Sequence, residues 1–276
     1  MSVISYEYFS DKLNTYIQHD ADFYYTLTET ILKYPTRFIG IFRATNAPTK
    51  IIQNVTQSNE IKFGYFLEDI VTEYIAKMGY TNLDKTIGTG PDGNNLEADQ
   101  VFTLGNTIYL IEQKIRDDHD STKKRGQYEN FKKKYDLLQS ENPTKTVIAT
   151  MWFIDSNITK NKNYYTEMVA QDANNNITKH ILYGGELFDT VFNRPDVWNE
   201  ICDHLTLNKT QRSRDTLSVP DFDTSPEILN ILRQIKINKP KLIEKLFSDD
   251  DAYTQLRREL FPDDINTRRL RNIPVD

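Results

Sequence analysis

Two residues, Gly105 and Asn106, set the pairing of the strands on either side of them. The stretch "FTLGNTIYLIEQK" places this dipeptide between runs of branched and aromatic residues, the pattern of a two-residue hairpin turn. With Gly105-Asn106 as the turn, Leu104 pairs with Thr107, and every opposed pair of positions sums to 211. Val101 then faces Leu110, apolar against apolar. Continued outward, the same register brings Asp99 opposite Glu112 and Glu97 opposite Lys114. Directly opposed side chains have Cβ atoms roughly 4.5–5.5 Å apart, so two carboxylates placed there repel each other. A divalent cation between them removes the conflict, and hard oxygen donors suit Mg2+ or Mn2+.

The second strand changes character along one face. Side chains two apart in a strand point the same way, so Leu110, Glu112 and Lys114 share a face that turns from apolar to charged within five residues. Two readings account for this. The strand end is exposed and Lys114 bridges to Glu97, or the strand leaves the core and enters the mouth of an active site.

The flanking segments supply the rest of an architecture. Residues 5–45 predict helices rich in Tyr and Phe, broken near Pro35, and residues 46–50 a turn. "EIKFGYFLEDIVTEYIAKMGY", 60–80, predicts a helix whose stripe is Phe63, Leu67, Val71, Tyr74, Ile75 and Met78. Glu68 lies at the edge of that stripe, with Asp69 and Glu73 pointing away. It is either a boundary glutamate reaching water or a third carboxylate for the cation, and Gly64 one turn earlier leaves room for a close backbone approach. "GTGPDGNN", 88–95, reads as a loop, followed by strands at about 98–104 and 107–115. "RGQYENFKKKYDLLQS" predicts an amphipathic helix, and "TVIATMWFID", 146–155, a buried central strand. A strand near 179–183 and a short helix in "GGELFDTVF" follow. Beyond about 196 the chain reads as helical, interrupted by "TLSVPDFDTSPE". The expected fold class is α/β: a central mixed β-sheet flanked by helices, with additional helical N- and C-terminal regions. The expected division is a sheet-containing domain with its N-terminal helices over 1–195 and a mostly helical region over 196–276.

Charge and composition narrow the classes. A net charge of −6 argues against a protein that coats nucleic acid indiscriminately. Locally the balance reverses: between 114 and 134 eight basic residues stand against four acidic ones. That patch is either a solvated helix and loop or a phosphate-binding surface. A single cysteine, Cys202, excludes an internal disulfide framework and fits a reducing cytoplasm. Four scattered histidines with that one cysteine argue against a His/Cys zinc site. Neither a signal segment nor a membrane-spanning apolar run is expected.

Helix Glu68, strand-end Asp99, hairpin, "EQK" at Glu112–Lys114, basic helix, buried strand: this order resembles the PD-(D/E)XK nuclease superfamily, and type II restriction endonucleases in particular. Twelve residues separate Asp99 from Glu112, and the resemblance covers about residues 60–190. The literal Pro-Asp pair, Pro91-Asp92, lies in the glycine-rich loop away from the hairpin, so the register selects Asp99 in its place. The resemblance implies a restriction-endonuclease-like core and Mg2+-dependent hydrolysis of double-stranded DNA at a specific short sequence. Asp99, Glu112 and the main-chain carbonyl of Gln113 would hold Mg2+, or Mn2+ in its place, with Glu68 as a direct or water-mediated ligand. Lys114 would position the attacking water and stabilise developing charge. Gln127 and the basic residues Lys123, Lys124, Arg125, Lys132, Lys133 and Lys134 would lie near the DNA backbone. Base reading is expected from Arg212 and Arg214 in "NKTQRSRD", while the similar "NTRRLRN" reads as a tail. A palindromic target implies a two-fold homodimer. Two alternatives remain: a repair or recombination nuclease of the same superfamily, disfavoured by the lack of a GxxxxGK[ST] loop, and a non-catalytic DNA-binding protein.

Overall fold

The Gly105-Asn106 turn forms with the expected pairing, Leu104 opposite Thr107 and Val101 opposite Leu110. Gly105 takes a positive φ of 58°, which a side-chain-bearing residue adopts at a cost. The computed structural model of the chain describes residues 2–90, 93–174, 176–212 and 219–272. Its elements are α1 (Tyr6–Ile17), α2 (Ala21–Lys33), a 3-10 turn (Pro35–Arg37), α3 (Ala47–Lys77), β1 (Thr81–Asn82), β2 (Thr86–Thr89), β3 (Asn95–Glu97), β4 (Gln100–Leu104), β5 (Thr107–Lys114), α4 (Ser121–Glu141), β6 (Thr146–Phe153), α5 (Lys162–Gln171), β7 (Ile177–Tyr183), α6 (Glu186–Thr190), α7 (Pro195–Gln211), α8 (Pro226–Asn238), α9 (Pro240–Leu246), α10 (Asp251–Leu260) and α11 (Ile265–Arg271).

Five strands form one mixed sheet in the order β1-β4-β5-β6-β7, antiparallel from β1 to β5 and parallel from β5 to β7. The two parallel steps need crossover connections, and α4 and α5 provide them. α5 is an element that the sequence pattern did not suggest. The central position of β6 explains its largely apolar run: five of its last six residues through Phe153 are buried, and it is paired on both edges. Phe131 and Tyr135 of α4 pack with Leu110, Val147, Ala149, Met151 and Phe153 in one core.

Two segments differ from the sequence expectation. Residues 46–50 are not a free turn but the start of α3. The Asn46 side chain accepts from the Thr49 amide at 3.1 Å, and Pro48 stands in the first turn, where its missing N–H costs nothing. The ends of the expected 88–95 loop are strand instead: Gly88 and Thr89 belong to β2 and Asn95 to β3, a separate two-stranded ribbon. Glu97 belongs to that ribbon and pairs with Thr86, so it does not face Lys114. The β4–β5 ladder stops at Gln100 opposite Ile111, and Ala98 already donates to the Lys85 carbonyl at 2.9 Å.

The chain comprises two compact units, Met1–Tyr16 with Phe63–Ser213 and Ile17–Lys62 with Arg214–Asp276. The first contains the five-stranded sheet. The boundary expected at 195/196 falls within it, after the first residue of α7, whose Val197 and Ile201 are buried. The second has a helical core of its own, in which Ile31, Leu32, Ile51 and Val55 pack with Ile228, Leu232 and Leu256.

Candidate active site

Asp99 sits one step beyond the last β4–β5 pair, and its carboxylate turns back onto the backbone of β5. Asp99 Oδ2 accepts from the Gln113 amide at 2.6 Å and lies 3.3 Å from the Lys114 ammonium. Lys114 Nζ also donates to Glu112 Oε1 at 2.8 Å and to the Gln113 carbonyl at 2.9 Å. One positive charge therefore rests among three oxygens from Asp99, Glu112 and Gln113. The chain places Glu112 and Lys114 on one face of β5, as the strand period requires.

The electrostatics follow from this enclosure. Burial pushes the Asp99 carboxyl above the usual carboxylate range, and the neighbouring Glu112 adds to the rise against the pull of Lys114 and the Gln113 amide. Burial alone would lower the Lys114 ammonium, but Glu112 and Asp99 outweigh it and raise it. Glu112 is only 5% exposed. Its second oxygen, Oε2, accepts from Lys134 Nζ at 2.5 Å.

Glu68 stands nearby without joining the cluster. It forms an ion pair with Lys85 at 3.7 Å, and its carboxyl is raised by burial first and by Asp99 second. Among the described residues no three acidic, histidine or cysteine side chains converge as a metal-binding group. Asp69 and Glu73 point elsewhere, as expected, and pair with Lys12 of α1 at 3.5 and 2.6 Å. Gly64 admits no backbone closely: a Cβ there would meet only the Ile115 side chain, at an ordinary 3.6 Å. What joins α3 to the site is Gln100, which the sequence pattern did not single out. Its amide donates to the Glu68 carbonyl at 2.7 Å and accepts from the Thr72 hydroxyl at 2.7 Å, so a 1% exposed side chain fixes the helix against the strand end that carries Asp99.

Residues 90–209 match the HinfI family of type II restriction endonucleases. The resemblance to type II restriction endonucleases is therefore borne out over this segment, and membership of the PD-(D/E)XK superfamily is consistent with it. The HinfI match contains Asp99, Glu112, Lys114 and the whole of α4, while Glu68 and Gln100's partner Thr72 stand on α3 ahead of it. No curated protein matches the chain.

Within the HinfI segment the basic helix divides by direction. Lys123, Arg125 and Lys133 are exposed. Lys124 lies over the Tyr164 ring at 4.5 Å, and Gln127 accepts from the Tyr165 hydroxyl at 2.9 Å. Lys132 is held by Asp136 at 2.9 Å and Asp172 at 3.2 Å. Lys134 is a correction. It is 5% exposed and committed to Glu112, so it is no surface contact for phosphate. The signal was present: Tyr128, Phe131, Tyr135 and Leu138 are the buried stripe of α4, and Lys134 lies three residues after Phe131 and four before Leu138. Arg212 ends α7 as its C-terminal cap, and Arg214 lies outside the described residues. Of the described residues, no helix is long and apolar enough to cross a membrane.

Proposed function

We propose that this chain is a type II restriction endonuclease that hydrolyses phosphodiester bonds of double-stranded DNA at a specific short sequence, with Mg2+ as cofactor. One observation carries the reading: within a segment matching a restriction endonuclease family, Asp99 Oδ2, Glu112 Oε1 and the Gln113 carbonyl converge on a single cation, the Lys114 ammonium. Three hard oxygens around one positive charge are a donor set that fits Mg2+ or Mn2+, so Asp99, Glu112 and Gln113 would hold the ion. Bound there, it would neutralise charge on the scissile phosphate and acidify a water. Lys114, on a flexible stem, would orient that water and stabilise the charge developing on the phosphate. Glu112 would be held in place by Lys134, and Glu68 would act from its place beside Lys85, through water. Exposed Lys123, Arg125 and Lys133 would contact phosphates, which orient a duplex without reading it. A two-fold homodimer acting in the cytoplasm suits a palindromic site.

The test is incubation of the purified protein with a long defined duplex, with Mg2+ and with chelator. Discrete Mg2+-dependent fragments are expected. Digestion that shortens ends or gives a smear would replace restriction with a repair-type nuclease, and binding without cutting on many unmodified DNAs would leave a DNA-binding protein.

A further inference from the structure

The second compact unit presents a turn of unusual composition. Arg43 N donates to the Gly40 carbonyl at 3.0 Å, closing a four-residue turn whose two central residues are Ile41 and Phe42. Turn centres ordinarily hold Gly, Pro, Asn, Asp or Ser. Here they hold two large apolar side chains, 87% and 97% exposed. The turn is not loosely hung. Phe38 and Ile39, immediately before it, are each 3% exposed in the helical core. The Arg43 guanidinium reaches back to the Thr36 carbonyl at 3.3 Å, and Arg37 stacks 4.2 Å over the Tyr34 ring.

Charge says what such a tip meets. From Thr30 to Asn59 the chain contains Lys33, Arg37, Arg43 and Lys50 and no acidic residue at all, in a protein whose net charge is −6. Lys33, Arg37 and Arg43 are exposed, Arg43 next to Phe42 in the chain. Cationic side chains beside a projecting Phe and Ile are the elements of an architectural DNA contact: the cations neutralise phosphates and the apolar side chains press against a base step.

We infer that the Gly40–Arg43 turn is a DNA-contacting wedge, with Phe42 and Ile41 against a base-pair step and Arg37 and Arg43 on the flanking phosphates. The inference rests on the proposed endonuclease reading, and it assigns a DNA contact to a part of the chain outside the matched 90–209 segment.

The experiment uses a short labelled duplex of random sequence in Ca2+, with anisotropy titrations over a range of salt for the full chain and for Phe42→Ser, Arg37→Ala/Arg43→Ala and Phe42→Trp. Phe42→Ser should bind about tenfold more weakly. The double arginine variant should lower the slope of log affinity against log salt by about 1 for each lost contact. The new indole of Phe42→Trp should be quenched on adding duplex. Unchanged affinity and slope in these variants, with wild-type binding intact, would overturn the wedge and leave the endonuclease reading standing. If the wild-type chain binds no duplex yet cuts DNA with Mg2+, the wedge alone falls; if it neither binds nor cuts, both fall. If Phe42→Trp emission shifts with protein concentration in the absence of DNA, and Phe42→Ser disperses a dimer in sedimentation, the tip covers a second copy and the wedge is overturned. Because Phe42 is 97% exposed, these substitutions leave the core untouched, and unchanged melting temperatures verify it.

Discussion

Lys134 of α4 donates to Glu112 Oε2 at 2.5 Å while Lys114 of β5 donates to Oε1 at 2.8 Å. A single buried carboxylate is thus gripped by two ammonium groups that approach from different elements. The pair Lys134–Glu112 is about 7% exposed on each side, deep enough that losing one partner strands a charge away from water.

Neighbouring lysines of α4 should therefore behave differently. Lys134→Ala is expected to destabilise the protein by about 3–5 kcal/mol, the usual cost of breaking a buried ion pair from one side, and to slow cleavage while leaving the salt dependence of DNA binding unchanged. Lys133→Ala should leave stability within about 0.5 kcal/mol and reduce the salt slope by about 1. Urea denaturation and salt-titrated binding read both. Identical salt slopes for the two variants would contradict the division of the helix.

That division shows where the sequence was legible and where it was not. The hairpin register could be read because a two-residue turn leaves no freedom in the pairing, and it held from Leu104 to Gln100. It failed for Glu97 because alternation does not say where a strand ends, and β3 had already turned to pair with β2. Asp99 reached the site as a carboxylate accepting a β5 amide, not as a cross-strand partner of Glu112. The run "KKK" at 132–134 looks uniform in one dimension, yet a helix turns each residue about 100° from the last. Lys132 meets Asp172, Lys133 meets water and Lys134 meets Glu112. Gln100 was hidden because its role depends on Glu68 and Thr72, some thirty residues away.

The position of the Lys114 ammonium makes a prediction about metal. It rests on the same oxygens that would take Mg2+, so the two cations compete. Lys114→Ala should abolish cleavage, keep DNA binding in Ca2+, and melt lower than wild type without metal, because Asp99 and Glu112 lose the charge between them. With Mn2+ or Ca2+ its melting temperature should rise by more than that of wild type. A tenfold gain in affinity at saturating metal is about 1.4 kcal/mol, and each kcal/mol is about 2–4 °C for a domain of this size. Differential scanning calorimetry decides it, and equal metal-induced shifts in both proteins would rule out a shared site.

Two aspartates seven residues apart should separate sharply. Asp99→Ala removes an oxygen from the cluster and is expected to reduce cleavage roughly a thousandfold or more, the several kcal/mol expected of a lost metal ligand. Asp92→Ala, at the literal Pro-Asp pair, should cut near the wild-type rate. Cleavage time courses on the same duplex compare them, and equal losses would place the site elsewhere.

Asp172 supplies a pH dependence away from the site. Burial would lift its carboxyl, but the Tyr135 hydroxyl, Lys179 at 2.9 Å, the Asn174 amide at 3.2 Å and Lys132 at 3.2 Å outweigh it and hold the group well below the usual range. The folded protein therefore releases this proton more readily than the unfolded chain does. Its contribution is fully present above the unfolded carboxyl value of about 3.9 and is lost as pH falls below that value towards the lower folded one. Asp172→Asn should cost about 2–4 kcal/mol at pH 7, since it leaves Lys179, whose side chain is 7% exposed, without its anion. The gap between variant and wild type should narrow by pH 3. Urea denaturation at the two pH values measures the gap, and a difference that does not shrink would show that the Asp172 charge contributes nothing to stability.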